Sequence, residues 1–406
     1  MKLAIDFDGV LTDLCSIRTS CIDTHAFLRS PCSIEFSKPR VGSVEMISAL
    51  SLFCDIVLVT SRPKSHESMI LKWLCLWGFD SLISQIVCCG GAPKNIALGR
   101  DNAFILVDDS VENVQALLEP HFGILWSAQS WIELTTDIVE SLIHRNSACI
   151  RGTGMRIVSL ENISDLGASP VFVLTADDET RLKLRICVNR SVVQRIRDLG
   201  EIVNEAGYSC VAKTVQVSGL AVLKEFLPGK VIGVLEETRR HSAIEEAGRT
   251  LASLHDIPID RFEHGRKPWV NGCESLVILA ADDFNTIVKD AGGIAFVDLE
   301  SATAASRWVD MIWAAMYLCR TRQEFDQLCS GYFSVFDGLP PSKNEIDDAA
   351  DFFRHALHDQ IQRSLMAHSH DDEKGRRLRT IDVAVWHAEF DYESWRFVNV
   401  GKVRTG

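Results

Sequence analysis

The run Leu3-Ala4-Ile5-Asp6-Phe7-Asp8-Gly9-Val10-Leu11-Thr12-Asp13 constrains this chain more than any other segment, because an apolar stretch ends in it on two carboxylates two residues apart. On a strand, residues i and i+2 point to the same side, so Asp6 and Asp8 converge on one point. Gly9 lets the backbone turn sharply just behind them. The carboxyl ends of parallel strands are where α/β sheets hold their ligands. Two convergent carboxylates placed there make a site for Mg²⁺ and a phosphoryl group.

Strand and helix patterns alternate through the first third. Helical spacing covers Val44–Leu52, Ser65–Trp77 and Val111–Leu118, and apolar strand runs cover Asp55–Thr60, Gln85–Cys89 and Phe104–Val107. Continuous apolar strands between helices predict an α/β fold with a doubly wound parallel sheet. Polar residues close each strand: Thr60-Ser61-Arg62 after DIVLVT, Asp108-Asp109-Ser110 after FILV, and Lys94 beyond the Gly90-Gly91 break.

Each of these has a chemical use. Asp6 suits a carboxylate nucleophile that takes the phosphoryl group and divides a hard hydrolysis into two easier steps. Asp8 suits the acid that protonates the leaving oxygen and then deprotonates the attacking water. Thr60 and the backbone N–H beside it, at Ser61, can hold phosphoryl oxygens, and Lys94 offsets charge in the transition state. Asp109, Asp6 and the Asp8 carbonyl form an oxygen set suited to Mg²⁺.

This third of the chain resembles the haloacid dehalogenase superfamily of phosphohydrolases through DFDGVLTD, VTSRP, the isolated Lys94 and LVDDS, in that order. The resemblance implies Asp6 as nucleophile, Asp8 as acid/base, Thr60 and Lys94 as phosphate ligands, and Asp109 as metal ligand with Asp108 beside it. Only about 30 residues separate Asp13 from Val44, too few for a large lid domain. The site is therefore expected to take a bulky substrate or to be covered by another part of the chain.

A chain of 406 residues exceeds one compact core, and the expected division is 1–148 and 152–406, with Arg151-Gly152-Thr153-Gly154 as the linker end. Beyond it lie strand runs at Met155–Leu160, Val171–Thr175 and Arg181–Val188, a helix over Ser191–Ala206, strands at Val211–Val217 and Leu220–Phe226, and mostly helical pattern from Glu236. An apolar strand pair is expected at Leu276–Leu279 and Ile294–Val297.

This order resembles the aminoglycoside phosphotransferase branch of the kinase-like fold, a bilobal α+β domain. LKLR, LKEFLPG, EEAGRTLASLHDI and NTIVKDAGGIAFVDLESA carry the likeness. It implies nucleotide-binding residues Lys183, Asn285 and Asp298, a helix-start aspartate at Asp310, a phosphate loop at Leu166–Ser169, and ATP or another nucleotide as cofactor. The family's base lies five residues before its asparagine, which here is Ala280, so a working kinase needs Asp282 or Asp283 to move in. Three readings stay open for this half: a binding module, a small-molecule kinase, and a structural remnant.

Composition excludes other classes. The net charge of −13 is shared evenly, with 11 basic and 17 acidic residues over 1–145 and 31 and 38 over the rest, so no basic face invites nucleic acid. No apolar run reaches the roughly 18 residues of a membrane span. The expected partner is a small phosphorylated molecule. The expected setting is the cytoplasm, with Cys54, Cys75, Cys187, Cys210 and Cys319 as buried free thiols. Cys88-Cys89 lacks metal or redox spacing, and the polar run holding His368, His370, Asp371 and Asp372 reads as solvated loop.

Overall fold

The computed structural model describes residues 1–13, 30–99, 104–126, 130–164, 170–259, 275–342, 344–352, 390–391 and 396–397. The expected phosphate loop Leu166–Ser169 and the run from His368 to Asp372 lie outside them. Two compact units emerge: unit 1 comprises Met1–Val193 and Val215–Lys224, and unit 2 comprises Gln194–Thr214 and Glu225–Gly406.

Unit 1 opens with β1 (Lys2–Asp6), followed by a short antiparallel pair, β2 (Thr12–Asp13) and β3 (Lys38–Pro39). Then come β4 (Asp55–Thr60), β5 (Ile83–Cys88), β6 (Phe104–Asp108) and β7 (Phe122–Leu125). These form a parallel five-stranded sheet in the order β5-β4-β1-β6-β7. The central strands β1, β4 and β6 are buried on both faces, which is why they read as continuous apolar runs. Leu3, Ile5, Leu58 and Ile105 enter one core, and Ala4, Val59, Phe104 and Leu106 enter another. Strand order reverses at β1, so the carboxyl ends of β4, β1 and β6 frame one crevice.

The helices Ser43–Leu50 and Glu67–Trp77 fall where helical spacing placed them. The helix begun at Val111 ends at Gln115 instead of running to Leu118, and Ser110 caps it by accepting from Asn113 N–H. Cys75 corrects the thiol expectation. It is exposed on a helix that buries Ile70, Trp73 and Leu74, whereas Cys54, Cys187, Cys210 and Cys319 are buried free thiols.

A second sheet, with β8 (Ile157–Asn162), β9 (Val171–Ala176), β10 (Arg181–Ile186), β11 (Thr214–Ser218) and β12 (Ala221–Glu225), has the order β11-β12-β10-β9-β8. Its inward residues Ile157, Phe172, Leu182, Leu184 and Leu223 share one core with Ile5, Leu50 and Ile56. The turn Arg151–Gly154 therefore lies inside unit 1, with Ile150 and Ile157 on either side of it in that same core.

Unit 2 contains β13 (Gly229–Val231), β14 (Ser275–Val277), β15 (Thr286–Lys289), β16 (Ile294–Phe296) and β17 (Thr303–Ala305). The expected pairing of the 276 and 294 runs is corrected here. β14 pairs with β17, and β16 pairs with β15. The helices Glu237–His255 and Arg322–Phe333 pack on each other through glycines: a Cβ at Gly248 would fall on the Leu328 carbonyl oxygen, and one at Gly331 on the Glu245 carbonyl oxygen. No helix among the described residues is long and apolar enough to cross a membrane.

Because backbone faces backbone at this crossing, neither side can yield by turning a side chain. Gly331→Ala is expected to cost roughly 3 kcal/mol, measured by urea unfolding, despite alanine's higher helix propensity.

Candidate active site

Asp6 closes β1 and Asp108 closes β6, so neighbouring strands deliver both carboxylates to one edge of the sheet. Lys94, the first residue of the short helix Lys94–Ala97, places its Nζ 2.7 Å from Asp6 Oδ1 and 2.7 Å from Asp108 Oδ2. All three side chains are buried. Asp108 is further held by the Ser110 N–H at 2.9 Å and by Asn113 Nδ2 at 3.1 and 3.2 Å. Its oxygens are saturated by these donors, so it serves to anchor Lys94.

Asp109, exposed at the mouth, completes the group: one oxygen from each of Asp6, Asp108 and Asp109 lies within 4.8 Å of the others. Gly9 makes this possible. Its φ of +88° suits glycine, and a Cβ there would fall on Asp109 Oδ2.

Burial pushes the Asp6 carboxyl well above the usual carboxylate range, with Lys94 pulling against it and Asp108 adding to it. Burial works against the charge on Lys94, yet Asp6 and Asp108 outweigh it and hold the ammonium above its ordinary value. Asp109 is raised by desolvation and then by Asp108.

Three carboxylates against one ammonium leave two negative charges, and Asp6 Oδ1 is a buried oxygen that meets Lys94 as a charge without an aligned hydrogen bond. An all-oxygen set with that charge fits a hard divalent cation such as Mg²⁺.

Asp8 is arranged differently from the sequence expectation. Arg62, a residue that reading passed over, forks it with Nε 2.9 Å from Oδ2 and Nη2 2.7 Å from Oδ1. The Thr60 hydroxyl donates to Asp8 Oδ2 at 3.1 Å and accepts from the Arg62 N–H at 3.2 Å. Thr60 is thus turned onto Asp8, while Ser61 beside it is exposed. Arg62 Nη1 also reaches Ser33 Oγ at 2.9 Å and the Ser30 carbonyl at 3.4 Å. The available signal was the arginine in VTSRP, two residues beyond Thr60.

The kinase-like candidates divide between the units. Lys183 is half-buried on β10 in unit 1. In unit 2, Asn285 and Asp298 flank the open end of the β15–β16 hairpin, where the Val297 N–H bonds to the Asn285 carbonyl at 2.9 Å. Asp282 accepts from the Asn285 N–H at 2.7 Å and from its Nδ2 at 2.9 Å. Burial raises the Asp282 carboxyl, these bonds oppose the rise, and Asp298 adds to it.

Asp283 is committed elsewhere, with Oδ1 2.8 Å from Arg240 Nη2 and Oδ2 2.7 Å from Arg320 Nη2, which removes it as a base. Ala280 is apolar and fully buried. Asp310 accepts from the Ile278 and Leu279 N–H groups at 2.8 and 2.7 Å, holding Leu279 at a φ of +50°.

No protein-family model matches the chain, and no curated protein matches it. Among solved structures, a macrolide 2'-phosphotransferase from Brachybacterium faecium is 15% identical, covering 61% of this chain and 97% of that one at a TM-score of 0.41. A Plasmodium vivax ethanolamine kinase is 10% identical, covering 70% and 95% at 0.45. An aminoglycoside phosphotransferase from Alicyclobacillus acidocaldarius is 12% identical, covering 60% and 91% at 0.38. None of the three is a phosphohydrolase, and at these scores the likenesses assign neither family nor function.

The raised Asp6 carboxyl makes stability depend on pH with a defined sign. Its folded pKa lies above the unfolded value of about 4, so the metal-free protein should lose stability as pH rises from there through the folded value. Thermal unfolding across that range should show the loss, Asp6→Asn should flatten it, and Mg²⁺ should oppose it.

Proposed function

We propose that the chain is a Mg²⁺-dependent phosphohydrolase of the haloacid dehalogenase type, working through a phospho-aspartate on Asp6 within residues 1–148. The observation that carries this reading is the Lys94 ammonium, 2.7 Å from both Asp6 and Asp108, with Asp109 gathered beside them at the carboxyl ends of β1 and β6. A nucleophilic carboxylate must be charged in a dry place, and the buried lysine favours the charged form of Asp6 against its burial.

In the first step an Asp6 oxygen bonds to phosphorus, the ester P–O bond breaks, and the leaving oxygen takes a proton from Asp8. In the second, water bonds to the same phosphorus, Asp8 takes its proton, and the Asp6–phosphorus bond breaks. Mg²⁺, held by Asp6, Asp109 and the Asp8 carbonyl, would neutralise phosphoryl charge. The Ser61 N–H would hold a phosphoryl oxygen. Thr60 and Arg62 act on Asp8 instead, and the fork must open before Asp8 can carry a proton.

A second reading, ATP-dependent phosphate transfer to a small hydroxyl compound, is favoured by the gathering of Asp282, Asn285 and Asp298 at one hairpin end. With Ala280 at the base position, it assigns the acceptor proton to Asp282.

Phosphate release from 4-nitrophenyl phosphate with Mg²⁺ should fall by at least about a thousandfold in Asp6→Asn. Release that survives this change, or that ignores chelator, overturns the first reading. Nucleotide that raises the melting temperature of wild type and Asp6→Asn but not of Asp298→Ala supports the second.

A further inference from the structure

One cation at the strand ends has no role in the chemistry above. Arg40 follows β3, and its N–H is pinned to the Leu11 carbonyl at 3.0 Å. Its Nε donates to the Gly9 carbonyl at 2.9 Å, on the residue whose missing side chain leaves room for Asp109. Its guanidinium carbon lies 5.5 Å from the Trp126 ring centre, and the Trp126 N–H bonds to the Asp108 carbonyl at 2.8 Å. Trp126 is buried, so both supports of Arg40 belong to the rigid rim of the phosphoryl site.

Among the described residues, Arg40 forms no ion pair, and Nε is its only guanidinium nitrogen with a hydrogen-bond acceptor. Lys94 and a divalent cation balance Asp6, Asp108 and Asp109, while Arg62 and Asp8 balance each other. Arg40 acts on Asp109 through its charge alone, with no ion pair between them, so its guanidinium stays open to another anion. It is half-buried and held in orientation by one hydrogen bond and one aromatic face, and its two Nη groups remain to grip planar oxygens in pairs.

We infer that Arg40 is a specificity-determining residue that binds a second oxyanion, a carboxylate or phosphate, on the leaving group of the phosphoryl substrate. The preferred substrate class is therefore a phosphate ester that carries another acidic group close to the ester oxygen. This inference rests on the phosphohydrolase reading of Asp6. The segment after Asp13 is too short for a lid domain, so the strand-end rim that Arg40 occupies is where selectivity can be built.

Two phosphonates test it without turnover. With Mg²⁺ present, calorimetry should show wild type binding phosphonoacetate at least about tenfold more tightly than ethylphosphonate, because only the former supplies the second anion. In Arg40→Gln the two affinities should come within about twofold. Arg40→Lys, which keeps the charge but cannot grip in pairs, should restore part of the preference. The ratio of kcat/KM for carboxymethyl phosphate over ethyl phosphate should fall in parallel.

Equal binding of both phosphonates by wild type, a preference that survives Arg40→Gln, or an equal weakening of both in that variant overturns the inference. If any of these occurs while Asp6-dependent phosphate release persists, the phosphohydrolase reading stands alone. If neither phosphonate binds and no Asp6-dependent release is found, that reading falls and takes the inference with it.

Discussion

A single ammonium group set between two buried carboxylates fastens the end of β1 to the end of β6. Either carboxylate alone in that crevice would carry an uncompensated charge costing several kcal/mol. Lys94 offsets part of that cost for both, and it does so from a helix that follows β5, a third element of the sheet. The remaining geometry follows from this contact. Asp108 must be oriented to receive Lys94, hence the Ser110 and Asn113 donors behind it. Asp109, the next residue, is then presented outward beside Gly9, where only a hydrogen side chain fits. Two negative charges remain, a balance that a divalent cation would fit.

Asp6, Asp108 and Asp109 stood out in the sequence because they close apolar strand runs, which the strand-end rule turns into a place in space, and Lys94 stood out as the isolated lysine beyond the Gly90-Gly91 break. Arg62 and Arg40 were not legible as site residues. Their roles lie in bonds to Asp8, Ser33 and the Gly9 carbonyl, across 54, 29 and 31 residues of chain, and no periodicity encodes such separations. The capping box of Ser130 and Glu133 did mark the start of the helix Trp131–His144, a signal the pattern reading passed over. β7, four residues with no fully buried side chain, carried no such signal.

The Gly-rich turn at 151–154 and the paired aspartates at 282–283 illustrate a different limit. Composition marks a chain reversal but does not say whether the residues on either side join one core or two, and here Ile150 and Ile157 join the same one. Likewise Asp282 and Asp283 are adjacent and chemically identical. One caps the turn into Asn285, while the other turns the opposite way into two guanidinium groups. Ala280 was the more informative residue, since its lack of a polar atom holds in any backbone arrangement.

The fork on Asp8 bears on how the first unit would work. In every hydrogen bond it makes to Arg62 and Thr60, Asp8 is the acceptor, whereas protonating a leaving oxygen requires it to be a donor. The two states exclude each other, so on the proposed hydrolase reading the Arg62 fork would have to open for Asp8 to act. Arg62 also holds Ser33 Oγ, on the helix Cys32–Phe36 of the segment between Asp13 and Val44. Opening the fork would therefore loosen the tie to that helix, since one guanidinium holds both Asp8 and Ser33. Arg62 thus joins Asp8 to the helix Cys32–Phe36 through one buried guanidinium, hydrogen-bonded through all three of its nitrogens.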